Sequence, residues 1–144
     1  MAKARAVWLL ARAYVDLGRC ALALRMHGFR QVIARTAAVA PRAAVGEEDV
    51  RRARLYGRWI GTAARFHVLR PQCLHQSLVL HSWLRHQGLP SEMRIGVRHD
   101  RNELKAHAWV ELAGRVVNDR RRAVAAFTPL SQPPTIELSR PQWR

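Results

Sequence analysis

Cys73 is the residue of this chain whose position best suits nucleophilic chemistry. It follows Arg70-Pro71-Gln72 and precedes a series of apolar residues that begins at Leu74. Proline is favoured in the first turn of a helix, so the pattern predicts a helix that begins near Cys73. Backbone N–H groups there lack intrahelical partners, and the helix dipole adds partial positive charge. Both effects favour the thiolate, and we therefore interpret Cys73 as a candidate nucleophile.

A thiolate nucleophile needs a nearby group that accepts and returns a proton, and His107 is the candidate base. It lies in a stretch that alternates in the manner of a strand, between Ala106 and Ala108. The alternation predicts that the two alanines face a helical layer. His107 shares the opposite face with Trp109 and Glu111, which we expect to form a wall of the substrate cleft.

A third group that fixes the histidine tautomer and supports the imidazolium would complete the site. Ala113-Gly114 predicts a hairpin turn into a strand over residues 115–119. That hairpin would bring Asn118 or Asp119 near His107. Asp119 is the preferred orienting acid because it is ionised, and Asn118 is the alternative. Gln72 and Asn118 are also candidates for the oxyanion or orienting role, beside the helix N–H groups.

The remaining histidines and the second cysteine suggest other roles. His75, His81 and His86 lie on the helix predicted after Cys73, but none pairs at i, i+4 with another ligand, so we expect no metal and no cofactor. His67 is a further candidate for the oxyanion site. Cys20 lies in the middle of a predicted helix among small apolar residues and is interpreted as an inert core residue.

The elements around these residues predict an α+β fold in which helices pack on an antiparallel sheet. The periodicity indicates one helix over residues 4–38, split at Gly28, and a second that begins at Glu47-Glu48-Asp49 and ends near Phe66. Gly88 and Pro90 are expected to end the helix of Cys73, and strands follow it. We expect an N-terminal helical region over residues 1–46, a catalytic core over residues 47–128 and a proline-rich tail over residues 129–144.

Charge is the most unusual property of the composition. The 144 residues include 25 Lys+Arg and 10 Asp+Glu, a formal net charge of +15. Abundant arginine with abundant alanine is also what a GC-rich genome produces, so the charge is weak evidence of function, although it favours anionic partners. Arg51, Arg52, Arg54 and Arg58 fit a solvated helix face better than a dedicated anion-binding surface.

Location and partner classes follow from what the sequence lacks. Charged residues interrupt the apolar N-terminal run at Arg12, Asp16 and Arg19, which argues against a signal peptide and a membrane span. Two unrelated cysteines are typical of a reducing cytoplasm. No phosphate-binding glycine loop and no aromatic–basic RNA-binding pattern occurs, so nucleic acid is an unlikely partner.

These motifs together resemble the transglutaminase-like leader peptidases of lasso-peptide biosynthesis. The resemblance rests on Pro71-Gln72-Cys73-Leu74 with Ser77-Leu78, on Trp83-Leu84 with Gly88-Leu89-Pro90, on Ala106-His107-Ala108-Trp109-Val110-Glu111 and on Val117-Asn118-Asp119. It covers about a third of the chain and includes the three candidate catalytic positions in order.

The resemblance implies a papain-like cysteine peptidase with the triad Cys73, His107 and Asp119 and no cofactor. Such enzymes remove the leader from a ribosomally made precursor peptide. They act with a separate leader-recognition protein and with an ATP-dependent lasso cyclase. This chain carries no fused recognition domain, so we expect a separate partner to dock on the N-terminal helices.

Two other readings stay open at the level of sequence. An acyltransferase would use the same triad and pass the acyl group to an amine instead of water. A non-catalytic, basic binding module would account for the net charge but would leave the order of cysteine, histidine and aspartate unexplained.

Overall fold

Three long helices form one layer of the protein. The structure, a computed structural model, describes residues 2–37 and 44–131. The helices are α1 (Ala2–Ala37), α2 (Glu47–Phe66) and α3 (Cys73–His86). Helix α1 is kinked at Gly28, where φ is 76°, a conformation that glycine adopts without steric cost. The predicted division of the first helix at Gly28 is confirmed.

Local signals in the sequence mark the ends of α2 and α3. Helix α2 begins at Glu47, as predicted, and the Gly46 N–H donates to the Asp49 carboxylate (3.0 Å). Three acidic residues in its first turn stabilise the positive end of the helix dipole. Helix α3 begins at Cys73 and ends before Gly88, whose φ is 74°. Both predicted boundaries of this helix are confirmed.

The second layer is a four-stranded antiparallel sheet. Strands β1 (Glu92–Asp100) and β2 (Glu103–Leu112) form a long hairpin. The short strand β3 (Arg115–Val116) follows, then the helix α4 (Arg121–Ala125) and the strand β4 (Thr128–Pro129). The strand order is β3-β2-β1-β4. The α+β fold predicted from the sequence is confirmed.

The predicted strand over residues 115–119 is wrong in its length. Strand β3 ends at Val116. The Val117 N–H still donates to the Val110 carbonyl (3.0 Å), but the Val110 N–H donates to the side chain of Asn118 (2.8 Å). A side chain thus replaces the backbone at the point where the ladder ends.

Helix α1 belongs to the core that α2, α3 and the sheet share. Its residues Leu9, Ala13 and Leu17 are buried, and they join one cluster with residues of α2, α3 and β2, among them Ile60, Leu80, Leu84, Val110 and Leu112. The sequence-based boundary after residue 46 therefore does not separate two cores. The boundary after residue 128 crosses β4, and the tail beyond residue 131 lies outside the described residues.

The two alanines that flank His107 differ in burial. Ala108 is buried, but Ala106 is exposed, so the expectation that both pack on the helices is wrong for Ala106. Strand β2 extends beyond the helical layer at its beginning, and only its later half is covered. None of the described helices is long and apolar enough to cross a bilayer.

Candidate active site

The structure brings Cys73, His107 and Asp119 into one chain of hydrogen bonds. Cys73 is the first residue of α3, His107 lies in β2, and Asp119 lies in the loop that follows β3. The Nε2 atom of His107 hydrogen-bonds Oδ2 of Asp119, and the imidazole also hydrogen-bonds the Cys73 thiol. Sulfur, imidazole and carboxylate are thus connected in that order.

The surroundings of Cys73 favour its thiolate. Partial burial alone raises the pKa of the thiol. The hydrogen bond from His107, the Ala108 backbone N–H, the positive charge of His107 and the Leu74 N–H outweigh that effect, so the pKa of Cys73 is lowered from its ordinary value. The sulfur therefore interacts with His107, its proton acceptor, and with the two backbone N–H groups that stabilise the thiolate.

His107 is correspondingly stabilised as the imidazolium. The hydrogen bond to Cys73 is the largest cause, and partial burial opposes it. The hydrogen bond and the charge of Asp119 add to the first effect, and the pKa of His107 is raised to about 9. The lowered pKa of Cys73 and the raised pKa of His107 both favour a thiolate–imidazolium pair. Such a pair can attack a carbonyl carbon and then protonate a leaving amine.

A buried polar network fixes α3 against the edge of β2. The hydroxyl of Ser77, one turn after Cys73, donates to the Ala108 carbonyl (3.0 Å) and accepts from the Asn118 side chain (3.0 Å). Asn118 also accepts the Val110 N–H. These bonds satisfy the polar groups that β3 is too short to pair. They also hold together α3, which carries Cys73, and β2, which carries His107.

Asn118 therefore does not orient His107. Its amide is engaged by Ser77 and by the backbone of β2, and the next residue, Asp119, contacts the imidazole. Of the two alternatives that the sequence left open, the structure places the carboxylate at the histidine. The second oxygen of Asp119 accepts the N–H of Arg120 (2.7 Å), which holds the carboxylate in place.

Gly57 of α2 sets the position of the loop that carries Asp119. A Cβ atom added at Gly57 would lie 2.9 Å from the Val117 carbonyl oxygen and 3.1 Å from the Cα of Asn118. The loop can approach α2 this closely only because residue 57 has no side chain. The sequence analysis missed Gly57, although a glycine inside a helix is itself a signal of close packing.

Trp109 supports His107 from inside the protein. It is only 1% exposed, and its ring centroid lies 6.2 Å from that of His107 in a stacked arrangement. Its indole N–H donates to Glu111 (2.9 Å), which also pairs with Arg94 (3.5 Å). Trp109 shares a face with His107 and Glu111 as predicted, but its burial prevents it from forming an open cleft wall.

Two residues that the sequence analysis missed, Phe127 and Gly96, border the aromatic rings of the site. Phe127 packs against His107 with ring centroids 5.2 Å apart. Gly96 lies opposite His107 in β1, and an added Cβ would lie 2.8 Å from the Trp109 ring and 2.9 Å from Phe127. Glycine at this position leaves room for both aromatic side chains. No feature of the local sequence indicates that contact, because it joins residues from three separate segments.

Gln72 occupies the residue position immediately before α3. Its backbone N–H donates to Nδ1 of His75 (3.1 Å), which caps the start of the helix. Burial lowers the pKa of His75, consistent with a neutral ring that accepts this bond. Gln72 thus stands beside Cys73 at the helix end where an oxyanion would form, and His75 has a capping role.

His67 is directed away from the sulfur, contrary to the expectation that it contributes to an oxyanion site. It is buried, its Nε2–H donates to the Tyr14 carbonyl (3.0 Å), and its Nδ1 accepts the Leu69 N–H (3.1 Å). Both ring nitrogens are therefore occupied in joining the end of α2 to α1. Within residues 2–37 and 44–131, no three potential metal ligands are grouped together.

Cys20 differs from Cys73 in its electrostatic setting. Burial, with a smaller effect from Asp16, raises the pKa of Cys20 to about 12. Its sulfur contacts the His75 carbonyl oxygen at 4.0 Å. The interpretation of Cys20 as an inert thiol agrees with these surroundings.

Comparison with known proteins identifies the family. A family model described as the transglutaminase-like superfamily matches residues 16–132. No curated protein and no solved structure matched the chain. The matched region begins within α1 and includes Cys73, His107 and Asp119. Members of this superfamily are typically cysteine-dependent enzymes. Because the match spans most of the 144 residues, the chain belongs to the transglutaminase-like superfamily.

Proposed function

We propose that the protein is a cytoplasmic cysteine peptidase that removes the leader from the ribosomally made precursor of a lasso peptide. The observation that carries the proposal is the hydrogen-bonded chain from Cys73 at the start of α3 through His107 to Asp119. The sequence motifs quoted above supply the choice of substrate, and membership of the superfamily is consistent with it.

The geometry suggests how each residue contributes. The Cys73 thiolate attacks the carbonyl carbon of the scissile peptide bond, and N–H groups at the start of α3 stabilise the oxyanion. His107 gives its proton to the leaving amine as the C–N bond breaks, which leaves the leader as a thioester on Cys73. His107 then takes a proton from water, whose oxygen attacks the thioester and releases the leader acid. Asp119 keeps the imidazole oriented throughout.

The partners in this proposal are the precursor peptide, a separate leader-recognition protein and the lasso cyclase that acts on the freed amine. The candidate docking surface for the recognition protein is on α1. Large apolar side chains there recur at seven-residue intervals and are exposed, namely Trp8, Val15 and Leu22, with Met26 one turn further. Residues seven apart lie on one face of a helix.

Substitution of exposed residues tests this docking surface better than deletion of α1, because α1 contributes Leu9, Ala13 and Leu17 to the core. Trp8→Glu with Leu22→Glu should abolish co-purification with the recognition protein, whereas Arg5→Gln with Arg25→Gln should retain it. Retained binding in the first pair would exclude this face of α1.

Mass spectrometry of the cognate precursor, incubated with the protein and the recognition partner, tests the peptidase function. We expect cleavage at the junction of leader and core, its loss in Cys73→Ala and its retention in the matched variant Cys20→Ala. Cleavage that persists in Cys73→Ala would refute the assignment of the nucleophile. A leader joined to an added amine, in place of the free leader acid, would instead identify an acyltransferase.

A further inference from the structure

An open groove lined by arginines borders the triad. Its volume is about 980 Å³, and it lies between α2, the loop after β3 and the segment before α3. Five of its lining residues are arginines, and all five are exposed: Arg54, Arg58, Arg65, Arg70 and Arg120. We call this feature the arginine groove.

The spacing of the residues on α2 forms the groove. Arg58 follows Arg54 by four residues and Arg65 follows it by eleven, so the three arginines lie on one face of the helix. Gly57 and Gly61 lie on the same wall of the groove. Gly57 lets the loop after β3 approach α2 closely, and a Cβ at Gly61 would meet the side-chain oxygen of Gln76 at 3.8 Å. At a rise of about 1.5 Å per residue, the stripe from Arg54 to Arg65 is about 16 Å long. An extended peptide of about five residues spans that length.

The guanidinium groups of the groove form no close ion pair with the carboxylates that the structure describes, although the charge of Arg54 acts on Glu47 from a greater distance. Among residues 2–37 and 44–131, none of the five arginines forms an ion pair within 4 Å. Asp119, the acidic residue of the groove lining, is committed to His107. Arginines elsewhere on the surface do have such partners, for example Arg51 with Glu48 and Arg115 with Glu47. The groove therefore holds a concentration of uncompensated positive charge.

The position of the groove connects it to the reacting atoms. Asp119 lines the groove and also contacts His107, and Pro71, two residues before Cys73, lines it as well. Arg70 is held at φ 46°, a conformation that is uncommon for residues other than glycine and that is enriched at ligand sites. A chain bound at the triad would continue into the groove.

We propose that the arginine groove binds an acidic segment of the peptide substrate, about five residues long, next to the scissile bond. This inference rests on the proposed function and extends it by naming the substrate chemistry. Arginine pairs with carboxylates in a bidentate manner, so several arginines along one wall select a run of Asp and Glu side chains. None of the described residues that line the groove is aromatic, whereas sites for single-stranded nucleic acid normally offer aromatic rings for base stacking.

The first experiment measures binding without any catalytic step. The probe is a fluorescein-labelled peptide of eight glutamates, and its anisotropy is recorded with three proteins: the wild type, the groove variant Arg54→Gln/Arg58→Gln/Arg65→Gln and the matched variant Arg5→Gln/Arg25→Gln/Arg30→Gln. The matched variant removes the same charge from exposed positions on α1. We expect the Kd to rise about tenfold in the groove variant and to stay near the wild-type value in the matched variant. Equal weakening in both variants would overturn the proposal.

A single-stranded oligothymidylate of eight nucleotides serves as the competing probe at the same ionic strength. If the groove is a peptide site, the two triple variants bind the oligonucleotide equally well, since only net charge matters to it. Tighter binding of the oligonucleotide than of the peptide, lost selectively in the groove variant, would instead assign the groove to nucleic acid.

A second experiment tests the connection between the groove and Cys73. A chloroacetamide at one end of an octaglutamate peptide should alkylate Cys73 faster than the same group on an octaserine peptide, from at least one of the two ends. The difference should disappear in the groove variant and persist in the matched variant. Equal rates for both peptides from both ends would overturn the placement beside the scissile bond. Alkylation of Cys73 by plain iodoacetamide is the control for the reactivity of the thiol. Failure of this reaction would count against the proposed function, whereas normal alkylation with no preference for octaglutamate would count against the groove as a binding site.

Discussion

At the scale of single residues, the two cysteines show how surroundings set reactivity. Cys73 has a lowered pKa because His107 and two backbone N–H groups outweigh its burial. Cys20 has a pKa of about 12 because burial is the largest influence and Asp16 adds to it. The thiolate is the reacting form in alkylation, so the two residues provide an internal comparison within one molecule.

We expect iodoacetamide to modify Cys73 alone at neutral pH. Because the pKa of Cys73 is lowered, its alkylation rate should remain high below pH 8.5, where an ordinary thiol is already protonated, and should fall only at lower pH. In His107→Ala the midpoint should move upward, since the strongest lowering influence is gone. Peptide mapping by mass spectrometry gives both rates, and modification of Cys20 at a comparable rate would contradict the electrostatic account.

The rate of peptide cleavage should fall at alkaline pH. The imidazolium form of His107 protonates the leaving amine, and this form is lost as the pH rises through its pKa of about 9. We therefore expect kcat/KM to be sustained up to about pH 8 and to decline above pH 9. A decline centred near pH 6.5 would show that the imidazole is not stabilised by Cys73 and Asp119.

The hydroxyl of Ser77 joins α3 to strand β2 and to Asn118 through two hydrogen bonds. Ser77 is fully buried, and Ser77→Ala would leave the Ala108 carbonyl and the Asn118 amide without this partner. We expect a loss of about 1–3 kcal/mol in the free energy of unfolding, measured by urea denaturation. Ser82→Ala on the same helix is the matched control. Among the described residues the Ser82 hydroxyl hydrogen-bonds the exposed His86 side chain (3.4 Å), so its loss should change stability little. Similar values for the two variants would contradict the network.

At the scale of elements, the site depends on how closely α2 approaches the loop after β3. The Asp119 carboxylate reaches His107 only if residues 117 and 118 lie directly on the backbone of α2 at Gly57. Gly61, one turn later on the same face, meets only the side-chain oxygen of Gln76, at 3.8 Å. Two glycines of one helix thus differ in what a methyl group would encounter.

We expect Gly57→Ala and Gly61→Ala to have opposite effects. Alanine at position 61 relieves the entropic cost of a helical glycine and should stabilise the protein by about 0.5–1 kcal/mol, because it leaves the loop that carries Asp119 in place. Alanine at position 57 would lie 2.9 Å from a carbonyl oxygen and must displace the loop. Its cleavage rate should fall by about tenfold or more, since a shift of about 1 Å at a catalytic group has effects of that size. Thermal unfolding and kcat/KM together test the pair, and equal behaviour would contradict the close approach.

At the scale of the whole molecule, α1 is part of the core and also presents an exposed apolar stripe. Leu17 is completely buried, whereas Leu22 on the same helix is 57% exposed. The stability of the domain and its proposed recognition of a partner therefore use different faces of one helix. The net charge of +15 is likewise uneven, since the arginine groove brings together five guanidinium groups that form no close ion pair with the described part of the chain.

Leu17→Ala and Leu22→Ala should separate these two faces. The buried substitution creates a cavity and should cost about 2–5 kcal/mol in the free energy of unfolding. The exposed one should change it by less than about 0.5 kcal/mol. Chemical denaturation of both variants gives the comparison. A small effect of Leu17→Ala would mean that α1 is an appendage, as the division after residue 46 implied.

The sequence was sufficient for features that depend on neighbouring residues. The acids at Glu47, the proline before Cys73 and the glycines at positions 28 and 88 act within one or two turns of chain. They therefore predicted the helix boundaries without knowledge of the fold. The alternation in β2 likewise placed His107, Trp109 and Glu111 on one face of the sheet.

The tertiary structure was needed wherever residues far apart in the chain meet. Only packing determines that Asp119 faces His107 while Asn118 is engaged by Ser77, because adjacent residues carry no local signal that distinguishes them. The close approach of Trp109 and Phe127 to Gly96 likewise joins residues from three separate segments. The arginine groove appears when the loop after β3 packs against α2 and turns a solvated helix face into one wall of a cleft. Local conformational preferences are encoded in short segments, whereas these contacts result from the burial of the shared core.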